Sequence, residues 1–437
     1  MNNRWCLGVR DPRGLVILAA LSLFVFGYAG PARADDDGDE KYLYIWAGHV
    51  DHSIPDFLAV IDFDEDSPGY GKVVNVVPLP GPGATFNEPH HMHLSADKKV
   101  LACGGLLSVL SGQPGIFFFD TTHPRMPQFL FSTADPNSSI TDDFLPLPEG
   151  GFLVTQMGSA NGGVPGRVVE FDKKLRRVNS WPVHPPMDGK FNPHGISARP
   201  DLNLMMTSDF ILPDTTLNPA FAPNGTDPPV LQDTVRVWDF QKRRIVKTIT
   251  VPGGVGMMDV RLIPGDPHGR AYTAGMFNGI IYLIDPRAGT ATPAFDGAEI
   301  VPHIPTPVPG GMVQILQMTS DGSRLFAGMF QSGQVVMLDT VHRSRPRQVA
   351  VVNLGVGAGP HNIMLTHDQK RLIVTDYFLV EDMFPFASPG KVQFEGDHKV
   401  HVLKVKRNSL KVDARFNLDF NTAFETGPAR PHGIAVK

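Results

Sequence analysis

Residues 313–341 read VQILQMTSDGSRLFAGMFQSGQVVMLDTV. Three apolar runs, VQILQM, RLFAGM and QVVMLD, are separated by two turn signals, TSDGS and FQSG. Runs of about six residues rich in Val, Leu and Phe, bounded by Gly, Ser and Asp, read as short strands joined by turns. One such three-strand unit is a fragment of a sheet. Seven of them are a fold.

All three runs recur along the chain. The Asp-ended strand returns as FLAVIDFD (57–64), GIFFFDTT (115–122), GRVVEFDKK (166–174), TVRVWDFQK (234–242) and GIIYLIDPR (279–287), and as HKVHVLKVK (398–406), which has lost its Asp. The middle strand returns as YLYIWAG, VLACGG, FLVTQMG, LMMTSD, AYTAGM and LIVTDY. The first strand returns as PHHMHLSADKK, DDFLPLPEGG, PHGISARPDLN, MMDVRLIPGD, PHNIMLTHDQK and PHGIAVK. Units lie roughly 50 to 70 residues apart, the range of propeller blades. PHGIAVK has no strands after it, and YLYIWAG has no first strand before it. The two ends together make one blade. The pattern therefore predicts an all-β, seven-bladed β-propeller with N- and C-terminal strands closing one blade.

Composition agrees. The chain has 437 residues, 42% hydrophobic and 19% charged, with 44 Gly and 40 Pro spread along it, as many short strands require. Net charge is −5 without basic blocks, which argues against nucleic acid as a partner. Residues 1–34 read as an export signal. Arginines precede an apolar run, GLVILAALSLFVFGYAG, and Ala32-x-Ala34 supplies a cleavage pattern. The propeller is expected over 35–437, in a periplasmic protein with no membrane span in the mature chain. Two insertions, near 210–232 and 377–396, are long, rich in Pro and aromatics, and expected as lids over one channel mouth. Cys103 reads as a buried strand residue.

The first strand of each unit is the innermost, lining the axis. Two positions before its apolar residue stand His90, Asp143, His194, Met258, Gln314, His361 and His432. Each of the four histidines follows a proline. Two other Pro-His pairs, at His268 and His303, open no inner strand and read as loop. Equivalent positions converge on one level of the channel, so four imidazoles are expected around one point. Neutral imidazole binds Cu, Zn, Fe and Ni. The expected ligands are His90, His194, His361 and His432. His91 faces away on a regular strand but becomes a further ligand, or a group orienting one, if the strand kinks. Asp143 is a candidate ligand, proton acceptor or orienting partner. Gln314 and Met258 are expected to line the pocket, and His93 to be structural.

NEPHHMHLS (87–95), VRVWDFQKRRIVKTITV, MVQILQMTSDGSRLFAGMFQSGQVVMLD and GAGPHNIMLTHDQKRLIVTDYF with its insertion resemble the selenium-binding protein family, which includes bacterial methanethiol oxidases. The resemblance covers about Lys41 to Lys437. It implies a seven-bladed propeller and, for exported bacterial members, a copper enzyme that oxidises methanethiol with O2 and water to formaldehyde, hydrogen sulfide and hydrogen peroxide. It places the copper-carrying pair on His90 and His91, with His432 as a further ligand. The chain departs from the family in lacking cysteines just after that pair, and in carrying Asp143 where the thiol oxidases have a histidine. Two other readings remain open: a four-histidine iron oxygenase, like the architecture of carotenoid-cleaving enzymes, and a propeller that binds metal without catalysis.

Overall fold

The computed structural model describes residues 40–213, 230–300, 309–380 and 393–437. The rest of the two insertions and the N-terminal segment lie outside these residues. Seven antiparallel sheets stand around an axis, each with its first strand innermost. The inner strands are Pro89–Leu94, Ser138–Pro146, Pro193–Arg199, Met257–Leu262, Val313–Met318, Asn362–Leu365 and Ala429–Val436. Each packs against the next, and Asn362–Leu365 packs against Ala429–Val436, closing the ring. Among the described residues no helix is long and apolar enough to cross a membrane.

The closing blade is built from both ends. Ala429–Val436 pairs with Tyr42–His49, Leu43 facing Val436, and Phe57–Asp62 and Val73–Pro78 complete the sheet. Blades adhere through apolar faces whose side chains are withdrawn from water, among them Tyr44, Trp46, Phe117 and Phe119 at one joint. Burial of each such side chain contributes about 1.5–3 kcal/mol. Polar groups inside the joints are satisfied across blades: Trp46 Nε1 donates to the Gly104 carbonyl at 2.8 Å.

One irregularity recurs and decides the site. In five inner strands the pairing skips so that two residues oppose one: His90 and His91, Asp142 and Asp143, His194 and Gly195, Met258 and Asp259, Gln314 and Ile315. The strand Ala429–Val436 has the same kind of skip at His432. Such bulges bend a strand and re-aim its side chains. They occur with a preceding proline, as at Pro89 and Pro193, and without one, as at Met257 and Val313, so the inner position rather than proline decides them.

Candidate metal centre

Five histidines and one aspartate come together on the axis, all but His361 from bulged strands. His90, His91, His361 and His432 each offer a nitrogen within 4.8 Å of the others, and His90, Asp142 and His194 form a second group sharing His90. All six are buried. Ring centroids lie 4.0 Å apart for His90 and His432, 4.5 Å for His90 and His91, and 4.7 Å for His361 and His432.

His91 is therefore turned inward beside His90, as the second residue of the bulge, rather than alternating outward. His194 stands with Asp142 instead of in the four-imidazole group. The second inner strand corrects the sequence alignment by one residue. Asp142, not Asp143, occupies the axial position, because the bulge gives the apolar slot to Phe144, which faces Val154. Asp142 Oδ2 lies 3.2 Å from His90 Nε2 and 3.1 Å from His194 Nε2, and its Oδ1 lies 3.3 Å from His91 Nδ1. Asp143 turns the other way. Its Oδ2 accepts the Ile196 N–H at 3.3 Å and stands 3.5 Å from Arg261, which also pairs with Asp259. His93 bonds its own strand's Leu94 carbonyl, and Met258, expected to line the pocket, belongs to the apolar core. Cys103 is buried beside Met92. His268 sits in a surface loop near Arg287, and His303 lies outside the described residues.

Backbone and side-chain contacts fix the donors. Thr155 donates to the His194 carbonyl at 2.7 Å and Thr375 to the His432 carbonyl at 2.6 Å, each hydroxyl reaching from the preceding blade. Gly433 is obligatory beside His432: a Cβ there would lie 2.5 Å from the His90 carbonyl oxygen. Gln314 Oε1 lies 3.0 Å from His361 Nδ1. An amide oxygen only accepts, so the proton sits on Nδ1 and Nε2 presents its lone pair inward, 3.1 Å from His432 Nε2. Gln314 thus orients a donor, a role the sequence left as pocket lining.

The electrostatics are those of a cation site. Burial, and then the neighbouring imidazoles, hold His361 and His432 well below the ordinary histidine range. Burial, with His91 next to it, brings His90 down to about 4. Burial also lowers His194, the Asp142 carboxylate offsetting it only in part. For His91 burial acts downward too, but the Asp142 carboxylate, with Asp143 and Asp259 behind it, outweighs burial and raises it. Burial would raise Asp142, yet His194 and His91 hold it well below the carboxylate range. A carboxylate buried among neutral imidazoles is costly unless a positive charge joins it.

A metal fits this donor set. Both ring nitrogens of His90 and His91, both oxygens of Asp142, and Nδ1 of His194 and His432 are buried without a hydrogen-bond partner. Lone pairs that face one another at these distances without hydrogen-bond geometry are suited to a shared cation. Aromatic rings wall the cluster: Phe378 lies 4.7 Å from His361, Phe210 5.1 Å from His194 and Tyr377 5.9 Å from His432. Phe210 and Phe378 begin the two insertions, so the described flanks of both lie on the histidines.

The model of the 56 kDa selenium binding protein family (SBP56) matches residues 25–437. The chain belongs to that family. It is 26% identical over 408 residues to a protein named methanethiol oxidase from Hyphomicrobium sp, spanning 88% of this chain and 87% of that one. It is 22% identical over 467 residues to methanethiol oxidase from Homo sapiens, spanning 93% and 95%. Among solved structures, a hypothetical selenium-binding protein from Sulfolobus tokodaii superposes with a TM-score of 0.73 at 18% identity, over 91% of this chain and 94% of that one, a likeness of fold.

Proposed function

We propose that this SBP56 protein is an exported oxidase of a small thiol such as methanethiol, working at a copper ion held by His90, His91, His361 and His432. The observation that carries the reading is the buried cluster of imidazoles around Asp142 with partnerless donor atoms, in a chain whose relatives bear the name methanethiol oxidase. Copper, when bound, would supply a one-electron couple and an affinity for thiolate sulfur. The reaction balances as methanethiol, O2 and water giving formaldehyde, hydrogen sulfide and hydrogen peroxide.

The chain's own residues divide the remaining tasks. Asp142 and His194, 3.1 Å apart, form the pair placed to take the thiol proton, one of three parts the sequence left open for Asp143. His91 is both a ligand and a bridge to Asp142. Phe210 and Phe378 keep water off the cluster and favour a small uncharged substrate. Residues 1–34 serve as the export signal.

The test is metal content with an EPR spectrum, on protein exported with copper and iron both supplied. One copper with a nitrogen-rich Cu(II) signal, and hydrogen peroxide formed on adding methanethiol, is the expected result. Copper-loaded, folded protein inert to small thiols overturns the thiol-oxidase reading. Iron in the site turns the reading to an oxygenase, and an absence of metal removes both.

A further inference from the structure

Away from the axial cluster, one other group of donors comes together among the described residues: Asp376, Asp397 and His401, each offering an atom within 4.8 Å of the others. Asp376 follows the strand Arg371–Thr375, and Asp397 precedes the strand Lys399–Lys406, which carries His401. The group therefore stands at the root of the second insertion, with one carboxylate at each end.

Asp376 is fully buried. Its Oδ2 accepts the N–H groups of Asp397 at 3.1 Å and Lys399 at 2.7 Å, while its Oδ1 has no hydrogen-bond partner. Asp397 Oδ1 lies 3.4 Å from His401 Nε2 and accepts the Lys399 N–H. Lys399 Nζ, on a half-buried side chain, is 3.8 Å from Asp397 Oδ2. Burial and the neighbouring carboxylate push Asp376 well above the carboxylate range, so without a cation it keeps its proton.

Another blade shows what is missing. There Asp209 ends the strand Leu204–Asp209, and Arg236 on the next strand faces Thr207, two residues before it. His401 faces Val374, two residues before Asp376, in the same register. Arg236 Nε donates to Asp209 at 2.5 Å, and Thr234 Oγ1 donates to it at 2.7 Å. Where one blade puts a guanidinium against its buried aspartate, the other puts an imidazole and a second carboxylate. A charge has been removed and two donor groups take its place.

We propose that Asp376, Asp397 and His401 bind a divalent cation of the Mn2+ or Zn2+ class, which clasps the two ends of the 377–396 segment. Two carboxylates and one imidazole suit these ions better than Ca2+, which takes oxygen ligands alone. The clasp bears on the axis, since Tyr377 and Phe378, next to Asp376, lie against His432 and His361. The site is independent of which metal the axial histidines hold.

Mn2+ titrated into the full-length protein, with free Mn2+ read by EPR, tests it. Binding of one equivalent is expected, weakened roughly tenfold or more in Asp376→Asn and in His401→Ala. His90→Ala, which empties the axial site under the proposed function, should keep it, so the two readings fail separately. With the axial site emptied by His90→Ala, Zn2+ should still raise the melting temperature, and adding His401→Ala to that variant should abolish the rise. His401 is only half-buried, so its variant stays informative if Asp376→Asn does not fold. No binding, or equal binding in the variants, overturns the proposal and leaves a carboxyl pair sharing a proton.

Discussion

The ring has two unlike arcs. Around five consecutive blades the axial positions carry His361, His432, His90, Asp142 and His194; around the other two they carry Met258 and Gln314. The bulge is present in both arcs, before Met258–Asp259 and Gln314–Ile315 as before His90–His91. The backbone thus offers seven near-equivalent places to aim a side chain inward, and chemistry occupies only some of them. A donor arc faces an arc of one thioether and one amide, so the imidazoles are gathered on one side of the centre. The comparison says that the fold supplies aim, and the side chain at each bulge supplies function.

The largest effect should come from breaking the donor arc at its hub. His90 belongs to both donor groups, so His90→Ala is expected to reduce copper occupancy of the axial site to near zero while circular dichroism stays that of a β-protein. Occupancy equal to wild type would show that the two groups do not share a cation. Next comes the aspartate pair. Asp142→Asn should lower turnover far more than Asp143→Asn, which loses only a partner of Arg261. Equal effects would mean that the bulge does not separate their roles.

The arc of Met258 and Gln314 should respond more mildly. Gln314→Leu frees the tautomer of His361, and loss of such an orienting partner costs about 10–100-fold in metal affinity. Met258→Leu, which conserves volume, should cost less than about 1.5 kcal/mol of stability and leave occupancy alone. A Met258→Leu variant that loses copper would instead make the sulfur a ligand and redraw the arc. Gly433→Ala should destabilise by about 1–3 kcal/mol, the range for overpacking, read from a denaturant midpoint.

The effect most remote from the axial arcs is on pH dependence. Burial pushes the Asp56 carboxyl up to about 7, hydrogen bonds from Asn87 offsetting this only in part. An aspartate in the unfolded chain titrates near about 4. The folded state therefore prefers the protonated form. The stabilising contribution is complete below that unfolded value and is lost as pH rises through about 7. Asp56→Asn should gain stability relative to wild type between pH 5 and pH 8, measured by denaturant midpoints. A constant difference across that window would show that Asp56 does not titrate there.

Much of this was legible from residues alone, for definable reasons. Repetition exposed the propeller, since each blade repeats the same three strands and turns. The seam between the ends was legible because PHGIAVK and YLYIWAG are each half of a unit. The Pro-His pairs marked His90, His194, His361 and His432 because proline fixes where each inner strand starts. Asp142 and the inward turn of His91 were not legible. A bulge inserts one residue into a period of two, and side-chain direction flips with every residue, so counting from Leu145 rather than Phe144 selected Asp143. The adjacent acidic pair, followed by an apolar residue at either count, held no signal to choose between them. Gln314 is equally mute in sequence, since its role depends on meeting His361 from the next blade. Asp376 and Asp397 stand across the second insertion from each other, and only the pairing of His401 with Val374 brings them together.

The seam carries a consequence for assembly. Tyr42–His49 and Ala429–Val436 are the most sequence-distant partners in the described ring, and contacts of that separation form late and slowly. His432 rides on this last-formed joint, and His90 and His361 belong to the blades on either side of it. An ion gripped by all three would span this seam. Its binding energy is then added to ring closure, so loading should slow the opening of the molecule far more than it speeds folding. The active centre would double as the latch of the circle.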